Sequence, residues 1–149
     1  MMVRLATKMD TATIAEFQMA MARETENLVL DKSLLMHGID NLVGDTTKGS
    51  YYVAEENEEV IGCLMTTYEW SDWRNGNVVW IQSVYIAKEH RGKGVYKKMY
   101  QHIQQLVAHS TDFKGIRLYV DKTNINAQKV YQQLGMNGEH YQVFEWMKN

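Results

Sequence analysis

Arg91-Gly92-Lys93-Gly94 is the stretch of this chain whose residue types most directly suggest chemistry. It falls where an apolar run, Val78 to Ile86, hands over to a helix-like run beginning at Val95. The first backbone N–H groups of a helix have no partners inside it, and the helix dipole adds positive potential there. Glycines let such a backbone come close to a phosphate, and Arg91 and Lys93 add charge. Taken alone, these four residues serve a phosphate cradle and a basic surface turn equally well. The P-loop pattern of glycine, four residues and Gly-Lys-Ser/Thr is absent. The dinucleotide fingerprint is absent too, because Lys97 stands where its third glycine belongs.

Tyr68-Glu69-Trp70-Ser71-Asp72-Trp73 is a second cluster. Two tryptophans and two carboxylates around a loop suit a cage for a cationic amine. They suit equally a loop whose tryptophans cap the core and whose acids are solvated. His37, His102, His109 and His140 lack metal-ligand spacing, and one cysteine excludes a cysteine-cluster metal site, so no metal is expected. Cys63, inside Val60-Ile61-Gly62-Cys63-Leu64-Met65, reads as a buried, inert thiol.

The elements that must position these residues follow from hydrophobic spacing. Val3 to Ala6 reads as a strand. Asp10 to Glu24 reads as a helix with Ile14, Phe17 and Met21 on one face, and Thr13 with Glu16 as a capping box. Asp31 to Val43 is a second helix, stopped by Gly44. Tyr51 to Ala54 and Val60 to Tyr68 form a hairpin across a charged turn, and Asn75-Gly76 marks the turn into a third strand, Val78 to Ile86. Val95, Met99, Ile103, Leu106 and Val107 recur at helical spacing as far as His109. Ile116 to Val120 is a strand, Asn126 to Leu134 a helix ended by Gly135, and Tyr141 to Met147 a last strand. A helix between two strands is a crossover, which makes the strands on either side of it parallel neighbours.

Arg91 to Tyr96 resembles the acetyl-CoA loop of the GNAT superfamily of N-acetyltransferases, written Gln/Arg-x-x-Gly-x-Gly/Ala. Tyr96 departs from it, standing where Gly or Ala is usual. Asn124-x-x-Ala127-x-x-x-Tyr131-x-x-x-Gly135-Met136 resembles the C-terminal signature of the same family, Asn-x-x-Ala-x-x-x-Tyr-x-x-x-Gly-Phe. The two motifs come in the family's order, and the resemblance runs along nearly the whole chain.

The resemblance implies an α/β fold with a mixed, mostly antiparallel central sheet flanked by helices, in one domain over residues 1–149. It implies acetyl-CoA as co-substrate, held by Arg91, Gly92, Lys93, Gly94, Val95 and Tyr96, by the backbone of Val84, Tyr85 and Ile86, and by Asn124. Asn124 serves equally as a helix cap. Free N–H groups of the strand before the loop would hold pantetheine and the thioester carbonyl, and serve as an oxyanion site. Tyr131 matches the tyrosine that meets the CoA sulfur. A phenol with pKa near 10 gives its proton to a thiolate, reference pKa about 8.5, only uphill by ~2 kcal/mol, so Tyr131 reads as a hydrogen-bond donor to the departing sulfur.

The implied activity is acetyl transfer to a primary amine of a small molecule. The alternatives are a non-catalytic acyl-CoA-binding regulatory module and, further off, a nucleic-acid-binding protein using Arg91 to Lys98. A protonated amine must first lose a proton, since its pKa is about 10.4. Gln82 and Ser83 occupy the strand position where some family members carry a carboxylate, and neither is a base. Glu69, Glu24, Glu26 or His90 acting through water leaves the base unassigned. Glu26, Glu69, Trp70, Trp73 and Gln82 are expected to face the acceptor.

The chain has 149 residues and 16 Lys plus Arg against 18 Asp plus Glu, a net charge of −2. That balance gives no global attraction to nucleic acid or an anionic membrane. A chain of this length buries roughly 70% of its unfolded surface and needs no disulfide or metal to hold it. No apolar h-region opens the sequence and no run nears the ~18 apolar residues of a membrane helix, so a cytoplasmic protein is expected. The aromatic content of Tyr141 to Trp146 suits edge-strand pairing into a homodimer.

Overall fold

Strand β1 (Met2–Leu5) opens the chain, followed by helices α1 (Thr11–Glu26) and α2 (Lys32–Val43). Strands β2 (Gly49–Glu56), β3 (Glu59–Ser71) and β4 (Gly76–Ile86) follow, then helix α3 (Val95–His109), strand β5 (Phe113–Arg117) and helix α4 (Ile125–Gln133). This computed structural model describes residues 1–148. Residues 1–117 form one compact unit, and a second begins at Leu118.

The strands of the first unit lie in the order β1-β2-β3-β4-β5. The first three pairings are antiparallel and β4 with β5 is parallel, as the α3 crossover requires. Asn57 and Glu58, at φ 51° and 66°, make the two-residue turn between β2 and β3. Positive φ at both central residues gives the turn a twist that matches the strands it joins.

The helices cover the sheet on both faces. Ile14 and Ala15 of α1 and Ile39 and Leu42 of α2 pack on Tyr51, Val53, Cys63 and Tyr85. Ile103, Leu106 and Val107 of α3 meet Tyr52, Thr66, Tyr68 and Val79, the alternate residues of the same strands. Side chains one residue apart on a strand point to opposite faces, so α3 lies across the sheet from α1 and α2.

One irregularity decides which face β4 presents. Cys63 pairs with Tyr85, but Met65 pairs with Gln82, so two steps on β3 match three on β4. The extra residue is a β-bulge at Ser83, whose φ is 55°. Before the bulge, odd-numbered residues of β4 face α3: Val79 lines the α3 side and Ile81 pairs with Thr66 there. After it, Tyr85 faces α1. The slip of one residue turns the end of the strand over.

The first four strands, the parallel crossover and α2 with its Gly44 end lie close to where the sequence puts them. Helix α1 runs two residues further, to Glu26, and starts at Thr11 with no side-chain cap. Thr13 and Glu16 therefore fall inside the helix and form no capping box; Glu16 instead pairs with Lys32 at 2.8 Å. The reciprocal arrangement lies one turn earlier, where Asp10 accepts from the Thr7 N–H at 2.7 Å.

Strand β5 spans 113–117 rather than 116–120, because its ladder with β4 ends at Trp80 and Arg117. The bulge bends β4 just beyond that point. In the second unit, Asn124 caps α4 by accepting from the Ala127 N–H at 3.0 Å, and Gly135 ends the helix at φ 87°. The strand expected over 141–147 is not formed: residues 137–148 carry no helix or strand. A strand exists only through its neighbour's hydrogen bonds, and the described residues after Leu118 offer it no strand to pair with.

Candidate active site

Strand β4 runs past the last β4–β5 pair, Trp80 with Arg117, to Ile86. Among the described residues its outer edge is thus without a strand partner from Ile81 onward. The Ala87 N–H bonds the Ile61 carbonyl of β3 at 2.9 Å. Alternation along the extended segment then turns the N–H groups of Val84 and Ile86 away from β3, toward that open edge. Tyr85 turns its own N–H the other way, so its part in the site comes through its side chain.

The chain leaves β4 through a short 3-10 turn, Lys88–His90, and enters the glycine loop. Gly92 and Gly94 have φ of 73° and 78°, and a Cβ at either would meet nothing within 4 Å. Conformation rather than crowding therefore demands glycine here. Gly94 is the N-cap of α3, and the first internal bond is from Lys98 to the Gly94 carbonyl at 3.1 Å. The N–H groups before Lys98 precede the helix's own hydrogen-bond ladder, as at any helix start. The positive-φ glycines, the helix start and the exposed Lys93 fit a phosphate-bearing ligand. The Tyr96 ring lies along the helix, its centroid 6.3 Å from that of Tyr100.

Arg91 does something other than lend bare charge. Its Nε donates to the Ile86 carbonyl at 2.8 Å, and its Nη2 to Glu24 at 3.0 Å. Its guanidinium carbon stands 5.1 Å from the centre of the Tyr85 ring, and the Tyr85 hydroxyl donates to Glu24 at 3.1 Å. The end of α1, the end of β4 and the start of the loop are tied by this one cluster. The hydrogen bond from Arg91 holds the Glu24 carboxyl below the usual carboxylate range. Burial, with Glu24 beside it, pushes the Tyr85 phenol up.

The residues expected around the acceptor divide. Gln82 and Glu69 lie on the α1 face of the sheet in one polar row with Thr67, Trp80 and Arg117. The Gln82 amide donates to the Thr67 hydroxyl at 2.8 Å. Glu69 accepts from Trp80 Nε1 at 2.8 Å and from Arg117 at 2.7 Å. The Trp80 hydrogen bond first, and Arg117 next, lower the Glu69 pKa. Glu24 and Glu69 are thus both ionised, both engaged and both weakened as bases. Trp70 lies 61% exposed on the opposite face, and Trp73 is 92% exposed at the turn. They neither cap the core nor form a cage with each other. Glu26 is exposed at the end of α1, and His90 Nδ1 lies 3.7 Å from Glu56.

Tyr131 stands in α4 of the second unit, and burial pushes its phenol above the ordinary range. That makes it a weaker acid and a better match to donating a hydrogen bond than to giving up its proton. Asn124 spends its side-chain oxygen on the helix cap.

Gln18 went unnoticed in the sequence. It is 5% exposed on the buried face of α1, four residues from both Ile14 and Ala22. It donates to the Ser83 carbonyl at 2.9 Å. A polar side chain within an apolar stripe was the available signal.

The model of the Acetyltransferase (GNAT) family matches residues 13–136. The probable spermine N(1)-acetyltransferase of Bacillus subtilis subsp. natto (strain BEST195) is 34% identical over 93 residues, 61% of this chain and 60% of that protein. This chain thus spans about three-fifths of the length of the curated relatives it matches. The crystal structure of a possible acetyltransferase from Clostridium difficile 630 is 41% identical, with a TM-score of 0.93 over 99% of this chain and 97% of that one. A predicted acetyltransferase with acetyl-CoA from Clostridium acetobutylicum shares the fold at 16% identity, with a TM-score of 0.76 over 97% of this chain and 95% of that one.

Proposed function

Because the chain belongs to the GNAT acetyltransferase family, we propose that it transfers an acetyl group from acetyl-CoA to a primary amine of a small molecule. The observation that carries this reading is the open edge of β4 beyond Trp80, running directly into a loop with two positive-φ glycines at a helix start. The loop backbone from Gly92 to Tyr96 holds the pyrophosphate. The edge of β4 at Val84 and Ile86 holds the pantetheine arm. Acetyl-CoA, when bound, supplies the thioester acyl group.

The remaining work belongs to the chain. The Val84 N–H donates to the thioester carbonyl oxygen and stabilises the charge that develops on it, the role of an oxyanion donor. The Tyr131 hydroxyl donates a hydrogen bond to the sulfur as it leaves. The amine lies along the polar row of Gln82, Thr67 and Glu69. Its proton passes to water, since Glu24 and Glu69 are tied to Arg91, Trp80 and Arg117. A spermine-like polyamine is the first acceptor to test, in keeping with the relative's name. We place the protein in the cytoplasm, where its one buried thiol stays reduced. We also expect a homodimer, formed through Tyr141, Phe144 and Trp146, which stand exposed.

The test is acetyl-CoA turnover against a panel of amines headed by spermine, read by release of free thiol. Turnover with at least one amine supports the reading. Tight CoA binding with no turnover on any amine makes the chain a regulatory acyl-CoA-binding module. No CoA binding removes the site.

A further inference from the structure

The bulge in β4 puts Ser83, a non-glycine residue, at φ 55°. Such backbone persists only where its surroundings fix it. Two buried groups meet the Ser83 carbonyl. Gln18 Nε2 donates to it at 2.9 Å, and Cys63 Sγ lies 3.7 Å away. The same Gln18 nitrogen is 3.4 Å from Cys63 Sγ. Burial pushes the Cys63 thiol up to about 12, so it stays protonated and able to donate.

The peptide bond between Ser83 and Val84 is planar and trans, so its carbonyl and its N–H point in opposite directions. Donors that grip the carbonyl end from α1 and β3 therefore fix the N–H end, which strand alternation turns away from β3 toward the open edge. That N–H belongs to Val84, and it lies on the stretch of β4 that β5 no longer covers.

We propose that Gln18 is a positioning residue for the reaction: through the Ser83 carbonyl it aims the Val84 N–H at the acyl oxygen of the bound thioester. This rests on the acetyltransferase reading above. Gln18 touches neither co-substrate nor acceptor. Without its donor the Ser83–Val84 peptide loses its main anchor and rotates, and the Val84 N–H no longer meets the charge that develops. The phosphate cradle, formed by residues 91–97, is left in place.

Two variants and two readouts test the assignment. Gln18→Met keeps the length and volume of the side chain and removes the donor. Gln18→Glu donates while its acid is protonated and repels the Ser83 carbonyl once ionised. In valine-labelled protein, the Val84 amide signal is compared between the CoA-bound and the acetyl-CoA-bound forms, so that only the acyl group differs. In wild type the signal shifts on acetylation of the ligand. In Gln18→Met that shift collapses, CoA affinity by calorimetry stays within about threefold, and kcat on the best amine of the panel falls by about ten- to hundredfold, less than the loss of a whole oxyanion donor. For Gln18→Glu, the ratio of its kcat to that of wild type is highest at low pH and falls as the buried acid ionises. A group that merely fills space gives a flat ratio.

A Val84 shift and kcat unchanged in Gln18→Met overturn the assignment, as does a loss confined to thermal stability or CoA affinity. If Gln18→Met does not fold, the pH ratio of Gln18→Glu decides, a flat ratio overturning it. Wild type that fails to bind CoA at all removes the acetyltransferase site itself, and this assignment with it. Wild type that binds CoA but shows no acyl-dependent Val84 shift removes this assignment alone.

Discussion

Glu24 accepts a hydrogen bond of 3.0 Å from Arg91 across 67 residues of sequence. The same guanidinium donates to the Ile86 carbonyl and stacks near the Tyr85 ring. Arg91 thus acts as a planar clip between α1, β4 and the glycine loop, a use that depends on its fork of donors and its flat face as much as on its charge.

Lysine keeps that charge and loses the fork. Arg91→Lys is therefore expected to weaken CoA binding about as much as Arg91→Ala, by roughly tenfold, or about 1.4 kcal/mol. Calorimetric CoA titrations of both variants check this. Full rescue by lysine would mean that Arg91 meets phosphate as a simple charge.

Gly94 sits at φ 78° with open space where a Cβ would be. Gly94→Ala then meets only backbone strain, about 1–2 kcal/mol. For a chain of this length that lowers Tm by roughly 2–8 °C. Gly94→Glu adds bulk and negative charge where the backbone is proposed to approach phosphate, and CoA binding is expected to be lost while circular dichroism shows a folded protein. CoA affinity retained in Gly94→Glu would remove the cradle from this loop.

Tyr131→Phe keeps the ring and removes the hydroxyl proposed to meet the sulfur. Acid–base assistance is worth about 10²–10⁴-fold, and kcat is expected to fall by about a hundredfold. CoA affinity is expected to move by less than about threefold, because the proposed cofactor contacts lie mostly on the loop and β4. Steady-state rates and CoA titrations separate the outcomes. Wild-type turnover in the variant makes Tyr131 a packing residue, and a loss confined to affinity makes it a binding residue.

Asp10 is buried and takes two hydrogen bonds from Arg4, at 2.8 and 3.0 Å, which hold its carboxyl below the usual range. A lowered carboxyl pKa adds stability in full above the unfolded value near 3.9, and that stability fades as pH falls through the folded value. Asp10→Asn should cost about 1–3 kcal/mol at pH 7. The gap in Tm between variant and wild type should close as the pH is taken from 5 to about 2. A gap constant across that range would show that Asp10 contributes packing alone.

Much of the molecule was legible because it is written in local pattern. The glycines at 92 and 94 announce a backbone that leaves ordinary φ, and Val95, Met99 and Ile103 recur at the spacing of the helix they form. Asn124 reads as a cap because its side chain bonds only three residues on. The parallel pairing of β4 and β5 follows from the helix between them. The polar cluster at Glu69 was visible, but its tie to Arg117 across 48 residues was not.

Tertiary structure alone decided what the end of β4 presents. The run Val78-Val79-Trp80-Ile81-Gln82-Ser83-Val84-Tyr85-Ile86 contains nothing that marks Ser83 as the residue without an opposite number. A bulge is a relation between two strands, and only the pairing of Cys63 with Tyr85 and Met65 with Gln82 creates it. That slip turns Tyr85 toward Glu24 and brings the Ser83 carbonyl under Gln18. The tail from Tyr141 to Met147 shows the converse. Its alternation reads as a strand, but a strand's hydrogen bonds lie outside its own sequence, and residues 141–148 carry none of that pairing. Composition fixes which backbone angles and which faces are available; the partner across the sheet fixes which of them the chain uses.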